Sequence, residues 1–213
     1  MESNKNNNAF VIVDVQNDFC PGGKLAVSEG DKIVPIINDL SSIFFKVIAT
    51  QDWHPSNHVS FAKSHPGKNE FETIELEDNV QILWPEHCVQ GTKGADFHPD
   101  LDLRPVDLII RKGTNPNLDS YSAFFENDHK TATGLGYYLK GFGIKKVFLC
   151  GLATDVCVFY SAMDSAYLGF ETYVIEDASR GVDVPEGNLK NSLDKMIQSG
   201  IKIIKSDEVK IYL

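Results

Sequence analysis

The stretch FLCGLATDVCVF, residues 148–159, ends an apolar run at Cys150 and Gly151 and then offers a second cysteine, Cys157, where a helix should begin. A buried thiol there is either a small packed hydrophobe or a nucleophile. A free thiol has a pKa of about 8.5 and is mostly neutral at physiological pH, so to react it needs a base and a cation beside it. Two other stretches supply those types. VDVQNDF carries Asp14, and VDLIIRK ends in Lys112. A fourth stretch, QDWHP, places Asp52 and His54 at i and i+2. An extended backbone turns both to the same side, as two ligands of one metal ion must be. The chemistry these types point to is attack by an activated thiol beside a metal site, provided the fold brings them together.

The elements that would do so are legible as an alternation. Apolar runs rich in Val, Ile and Phe occur at 10–15, 46–50, 106–112, 145–150, 171–177 and 201–205. They are nearly continuous in apolar character, as strands covered on both faces should be. Between most of them lie helical patterns. Ile33, Ile36, Ile37, Leu40 and Phe44 form an apolar stripe, and further helices are predicted within 131–143, 155–170 and 184–200. Strand alternating with helix predicts a three-layer, doubly wound α/β sandwich. Its six-stranded, mainly parallel sheet should have the order 3-2-1-4-5-6. Ligands bind such sheets at the carboxyl ends of the strands. Asp14, the Asp52–His54 pair, Lys112 and the GLATDVC turn all fall at those ends. Strands one and four would be neighbours, and Lys112 would sit two strands from Asp14, roughly 9–10 Å away, a gap that a lysine stem largely bridges. The lysine and a helix N-terminus should lower the thiol pKa, and Asp14 should take its proton. The connection between strands two and three, residues 51–105, holds five of the six histidines together with Trp53, Phe61, Phe71, Trp84 and Phe97. That is too aromatic for disorder, and it reads as an ordered, metal-binding insertion.

Composition fits one soluble domain. Among 213 residues the hydrophobic fraction is 42% and the charged fraction 23%. A net charge of -10 with no basic run argues against nucleic acid. No apolar stretch is long enough to span a membrane. The asparagine-rich residues 1–8 read as a disordered polar tail without a secretory signal, ahead of a single domain over 9–213. Cys20, Cys88, Cys150 and Cys157 form no CxxC pair and read as reduced thiols of a cytoplasmic protein. Cys150 reads as structural, and Cys20 and Cys88 as bystanders. His65, His98 and His129 have no partner at a useful spacing. The turn after strand one lacks G-x-G-x-x-G and any P-loop, which counts against a nucleotide-binding or scaffold domain.

Four blocks in this order, VDVQNDFCPGG, QDWHPSNHVSFA, WPEHCVQGTKGADFHP and GLATDVCV, resemble the nicotinamidase family within the isochorismatase-like cysteine hydrolases. The resemblance runs from Phe10 to about Ile204. By position it implies a catalytic triad of Asp14, Lys112 and Cys157, and metal ligands Asp52, His54 and His87. His58 or Ser60 is the expected fourth ligand, direct or through water. It further implies a cis peptide at Leu152–Ala153 and an oxyanion hole formed by the N–H groups of Ala153 and Cys157. Phe19 and Trp84 should sandwich a pyridine ring, with Tyr121 lining the same pocket. The implied cofactor is one divalent ion, Zn2+ first, with Fe2+ and Mn2+ also suited to one carboxylate and two imidazoles. The implied reaction is hydrolysis of nicotinamide to nicotinate and ammonia, with pyrazinamide as a second substrate. The alternative is a relative acting on another amide or on a carbamoyl or enol-ether substrate. Such relatives generally lack the metal loop. Nothing in the sequence fixes the oligomeric state, a homo-oligomer included.

Overall fold

The computed structural model describes residues 7–76 and 80–213. Residues 1–6 of the expected tail lie outside these, and Asn8 already belongs to the first strand. The main sheet contains β1 (Asn8–Val13), β2 (Lys46–Asp52), β5 (Leu108–Lys112), β6 (Lys146–Leu152), β7 (Glu171–Arg180) and β8 (Lys202–Ile204). Its order is β5-β2-β1-β6-β7-β8, the order predicted, and every pairing is parallel. A separate antiparallel hairpin, β3 (Thr73–Glu75) with β4 (Val80–Ile82), lies within the insertion.

The sheet is covered on both faces because its strands are apolar at successive positions. Phe10 and Ile12 of β1 pack with Phe148, Tyr173 and Ile37 in one layer. Ala9, Val11 and Val13 point the other way, onto Leu135, Val158, Ala162 and Met196. The first layer is closed by α1 (Val34–Ser41) and α5 (Val209–Tyr212). The second is closed by α2 (Leu135–Gly141), α3 (Cys157–Tyr167) and α4 (Asn188–Gln198). Phe10 stacks on Phe44 at 4.7 Å, and Phe148 on Tyr173 at 4.4 Å. Each side chain of this size stabilises the fold by roughly 1.5–3 kcal/mol when fully buried. The helices are shorter than their sequence patterns. Helix α1 follows a 3-10 turn over Gly30–Ile33 and has Pro35 in its first turn, where a missing N–H costs nothing. None of the helices among the described residues is long and apolar enough to cross a membrane.

Register decides what meets at the sheet edge. Asp52 pairs with Lys112 across β2 and β5, and Val13 pairs with Gly151 across β1 and β6. Just past Val13, Asp14 turns the chain with φ of 51°. Thr50 holds it there: its hydroxyl accepts the Asp14 N–H at 3.1 Å and donates to Oδ1 at 2.6 Å. The insertion is braced internally by short bridges, His54 with Val89 and Phe61 with Trp84, and is tied to the body by Gln16 with Phe97.

Candidate active site

Lys112 is the hub. Its ammonium is fully buried and reaches Asp14 Oδ2 at 2.8 Å, the Asp52 carboxylate, the Ser120 carbonyl at 2.9 Å and Cys157 Sγ at 3.6 Å. A buried cation without partners would cost several kcal/mol, and here two carboxylates answer it. Burial pushes the Lys112 pKa down, but Asp14 and Asp52 more than reverse this and hold it well above its ordinary value. Burial alone would also raise Asp52, yet Lys112 and His54 override it and keep that carboxyl ionised. Asp14 resolves the other way. Burial raises it, Lys112 pulls it back, Asp52 pushes again, and the result is a carboxyl pushed up to about 6.

The thiol departs from expectation. Cys157 is the first residue of the eleven-residue helix α3, where the helix end favours a thiolate. Its pKa is nonetheless raised well above the ordinary value. Burial is the main cause; Lys112 works against it, and Asp14 and Asp52 add to it. The resting thiol is therefore neutral, and the carboxylate beside it must take its proton at the moment of attack. Carboxylate oxygens of Asp14 and Asp52 and the sulfur of Cys157 all lie within 4.8 Å of one another.

Asp52 is shared with a second cluster. Its Oδ2 lies 3.4 Å from His54 Nε2 and 3.8 Å from His87 Nε2. The other ring nitrogens are anchored on carbonyl oxygens, His54 Nδ1 on Gly113 at 2.9 Å and His87 Nδ1 on Pro85 at 2.8 Å. That anchoring fixes the tautomer and leaves both Nε2 lone pairs facing one point, the arrangement a metal ion needs. Gly113 is required by this packing, since a Cβ there would lie 2.3 Å from His54 Cε1 and its φ is 62°. One buried carboxylate and two imidazoles so held fit a divalent ion. His58 is placed differently. Its Nδ1 meets Ser60 Oγ at 2.7 Å and its Nε2 meets the Leu118 carbonyl at 3.2 Å. Both ring nitrogens, and the Ser60 hydroxyl, are thus engaged with protein. Donor atoms of His58, His54 and Asp119 form a neighbouring group rather than joining that of Asp52, His54 and His87.

A pocket opens between the two clusters. Asp52, His87, Ala153 and Cys157 line it with the predicted Phe19, Trp84 and Tyr121. The Trp84 indole N–H donates to the Tyr121 hydroxyl at 3.1 Å. The peptide bond Leu152–Ala153 is cis. Leu25, Val27, Val156 and Val182 complete the apolar walls. Leu25, Val27 and Val182 arrive from loops with no spacing signal, and Val156 sits at the start of the predicted helix without any sign that it faces a pocket. Asp119 was missed as well. It is buried on the pocket wall, accepting from Gln81 Nε2 at 2.8 Å, and only its place in NLDSY near Tyr121 could have suggested it. Gln16, also missed, grips the Asp52 main chain in both directions at 2.8 Å, accepting its N–H and donating to its carbonyl.

The doubly wound sheet thus brings a cysteine, a lysine and an aspartate together at the carboxyl ends of its strands, the residue types that thiol-based hydrolysis uses. The chain belongs to the isochorismatase domain family, whose profile matches residues 8–208. It is 50% identical over 204 residues to the nicotinamidase of Acinetobacter baylyi, covering 96% of this chain and 95% of that one. Among solved structures, the nicotinamidase and pyrazinamidase of Acinetobacter baumanii matches with a TM-score of 0.94 and 53% identity, over 96% of this chain and 98% of that one. The pyrazinamidase of Pyrococcus horikoshii in complex with zinc matches with a TM-score of 0.76 and 37% identity, over 93% and 99% of the two chains.

Proposed function

We infer that this chain is a metal-dependent cysteine amidohydrolase that converts nicotinamide to nicotinate and ammonia and also accepts pyrazinamide. The observation that carries the reading is one ammonium, Lys112, bridging the Asp14 and Cys157 side to the Asp52 side across a pocket walled by Phe19 and Trp84. The identity to nicotinamidases supports the choice of amide.

In this mechanism Asp14 takes the proton of Cys157 as the sulfur attacks the carboxamide carbon. The negative charge that develops on oxygen is met by the N–H groups of Ala153 and Cys157, a role that preorganised donors fill at little reorganisation cost. Asp14 returns the proton to the departing nitrogen, ammonia leaves, and a thioester remains on Cys157. Asp14 next draws a proton from water, which attacks the thioester carbon. The sulfur leaves, recovers the proton, and nicotinate is released. Lys112 keeps its charge throughout and offsets whichever neighbour is anionic. Asp52, His54 and His87 would hold the divalent ion, with Zn2+ the first expectation. When bound, the ion supplies an electrophilic anchor for the pyridine nitrogen and for ordered water. Four free thiols suit a reducing, cytoplasmic setting.

The test is ammonia release from nicotinamide, pyrazinamide and benzamide by purified protein, before and after metal loading. Benzamide keeps ring and amide but has no ring nitrogen. Misplacing its carbonyl by about 1 Å would cost on the order of a hundredfold in rate. Equal turnover of benzamide and nicotinamide would remove the ring-nitrogen anchor and favour a metal-free relative's chemistry.

A further inference from the structure

The turn between β6 and α3 is held by a carboxylate that plays no part in the chemistry above. Asp155 is 4% exposed. An aspartate just ahead of a helix ordinarily caps it, accepting N–H groups of the first turn. Here α3 receives no side-chain cap, and Asp155 reaches away from the helix. Its Oδ1 accepts the N–H of Val182 at 2.8 Å. Its Oδ2 accepts the N–H of Asp183 at 2.9 Å and the side-chain amide of Asn188 at 3.1 Å. These partners lie 27, 28 and 33 residues away in sequence. The Thr154 N–H adds a bond to the Arg180 carbonyl at 2.8 Å. Gly181 permits the approach, since a Cβ there would stand 3.2 Å from Asp155 Oδ1 and 2.7 Å from Leu189 Cδ1.

What the staple joins is specific. On one side is the turn bearing Ala153 and Cys157, the donors assigned to the oxyanion. Its own internal support is the Ala153 carbonyl, which accepts from Val156 and Val158, each at 3.1 Å. On the other side is Val182, which lines the pocket together with Val156. We propose that Asp155 is a positioning residue that locks the oxyanion donors and the Val182 wall into one geometry, so that a ring seated against the wall finds its carbonyl aimed at the donors. The proposal rests on the hydrolase reading above. It predicts that losing the staple damages stabilisation of the tetrahedral state more than ground-state binding.

The test uses metal-loaded Asp155→Asn, which keeps one acceptor oxygen and turns an NH2 toward the other donors. With nicotinamide, kcat should fall about tenfold or more while KM moves less than about threefold, because only the transition state needs the aligned donors. Pyridine-3-carbaldehyde reports the same geometry. The Cys157 sulfur adds to its carbon as the carbonyl π bond breaks, and the thiol proton ends on the former carbonyl oxygen. Its affinity should fall in step with kcat/KM, while nicotinate affinity stays within about threefold of wild type. Asn188→Ala removes one donor of three and should give a smaller loss with the same signature; it decides the question if Asp155→Asn does not fold. A folded variant with unchanged kcat overturns the proposal, as does equal weakening of aldehyde and nicotinate. If wild-type protein releases no ammonia from nicotinamide, the hydrolase reading fails, and the aldehyde-to-nicotinate comparison alone still decides the role of Asp155.

Discussion

The nucleophile side and the metal side of the pocket solve opposite electrostatic problems with one shared cation. Around Cys157, burial pushes both acids toward their neutral forms, so the thiol keeps its proton and Asp14 sits at about 6. Around Asp52, burial is as deep, yet Lys112 and His54 hold that carboxyl ionised. The difference lies in the number of stabilising partners, charged or hydrogen-bonding, and not in exposure. Asp14 shares Lys112 with Asp52, while Asp52 has the lysine and two imidazoles. One carboxylate is thereby kept as a permanent charge, as a metal ligand must be, and the other is left near enough to neutrality to exchange protons, as the proposed mechanism requires.

Breaking the nucleophile side should have the largest effect. Cys157→Ala removes the attacking atom and little else, so kcat should fall by at least about a thousandfold with metal content and Tm near wild type. Activity within about tenfold of wild type would show that the sulfur is not the nucleophile. Next comes Asp52→Ala, which strikes both sides together. It removes a metal ligand and one of the two counter-charges of Lys112, so both bound metal and about 3–5 kcal/mol of stability should be lost. Denaturant unfolding with parallel metal analysis separates this from His87→Ala, which should lose metal at much smaller cost in stability. If the two variants are equally stable, Asp52 is not the bridge described here.

A pH profile sharpens the same contrast. Asp14 must be ionised to accept the thiol proton, so kcat/KM should fall as the pH drops through about 6. The sign for stability is opposite. A carboxyl whose folded pKa is raised from 3.8 to about 6 favours folding below 3.8, and that contribution is lost as the pH rises through 6. An activity profile flat from neutrality down to pH 5 would mean that another group takes the proton. Chelation of the metal should leave the pH dependence of thiol alkylation less changed than KM for nicotinamide, because it acts on the other side of the pocket.

Much of this contrast was readable before the fold was known. Asp14 and Lys112 were legible because each closes an apolar run, and Cys157 because it opens the helix that follows one; a parallel sheet has only one edge where such residues can meet. Asp52 and His54 were legible from their i, i+2 spacing. The electrostatic outcome was not. The expectation of a lowered Cys157 pKa counted the lysine and the helix end but not full burial between two carboxylates. Asp155 and Gln16 escaped because their partners are backbone groups far along the chain, which no local pattern encodes. The hairpin of β3 and β4 escaped because three residues per strand are too few to carry a period-2 signal.

The smallest expected effect concerns the wall between the two sides. Phe19 is 7% exposed, lines the pocket, and lies with its ring centroid 5.4 Å from that of His87. It has no polar duty, unlike Trp84, whose indole N–H is tied to Tyr121. Phe19→Leu therefore keeps apolar bulk and removes only a flat face. Offset stacking adds about 0.5–1.5 kcal/mol beyond burial, which corresponds to a rise in KM of about two- to tenfold for a planar amide. The face is lost equally to ground state and transition state, so kcat should stay nearly constant. Nicotinamide and pyrazinamide should be affected alike, since both are flat six-membered rings. Steady-state kinetics on both amides, with metal content measured in the same samples, reads this directly. A fall in kcat at constant KM and full metal occupancy would mean that Phe19 acts on the geometry of His87 or of the thiol rather than on the ring.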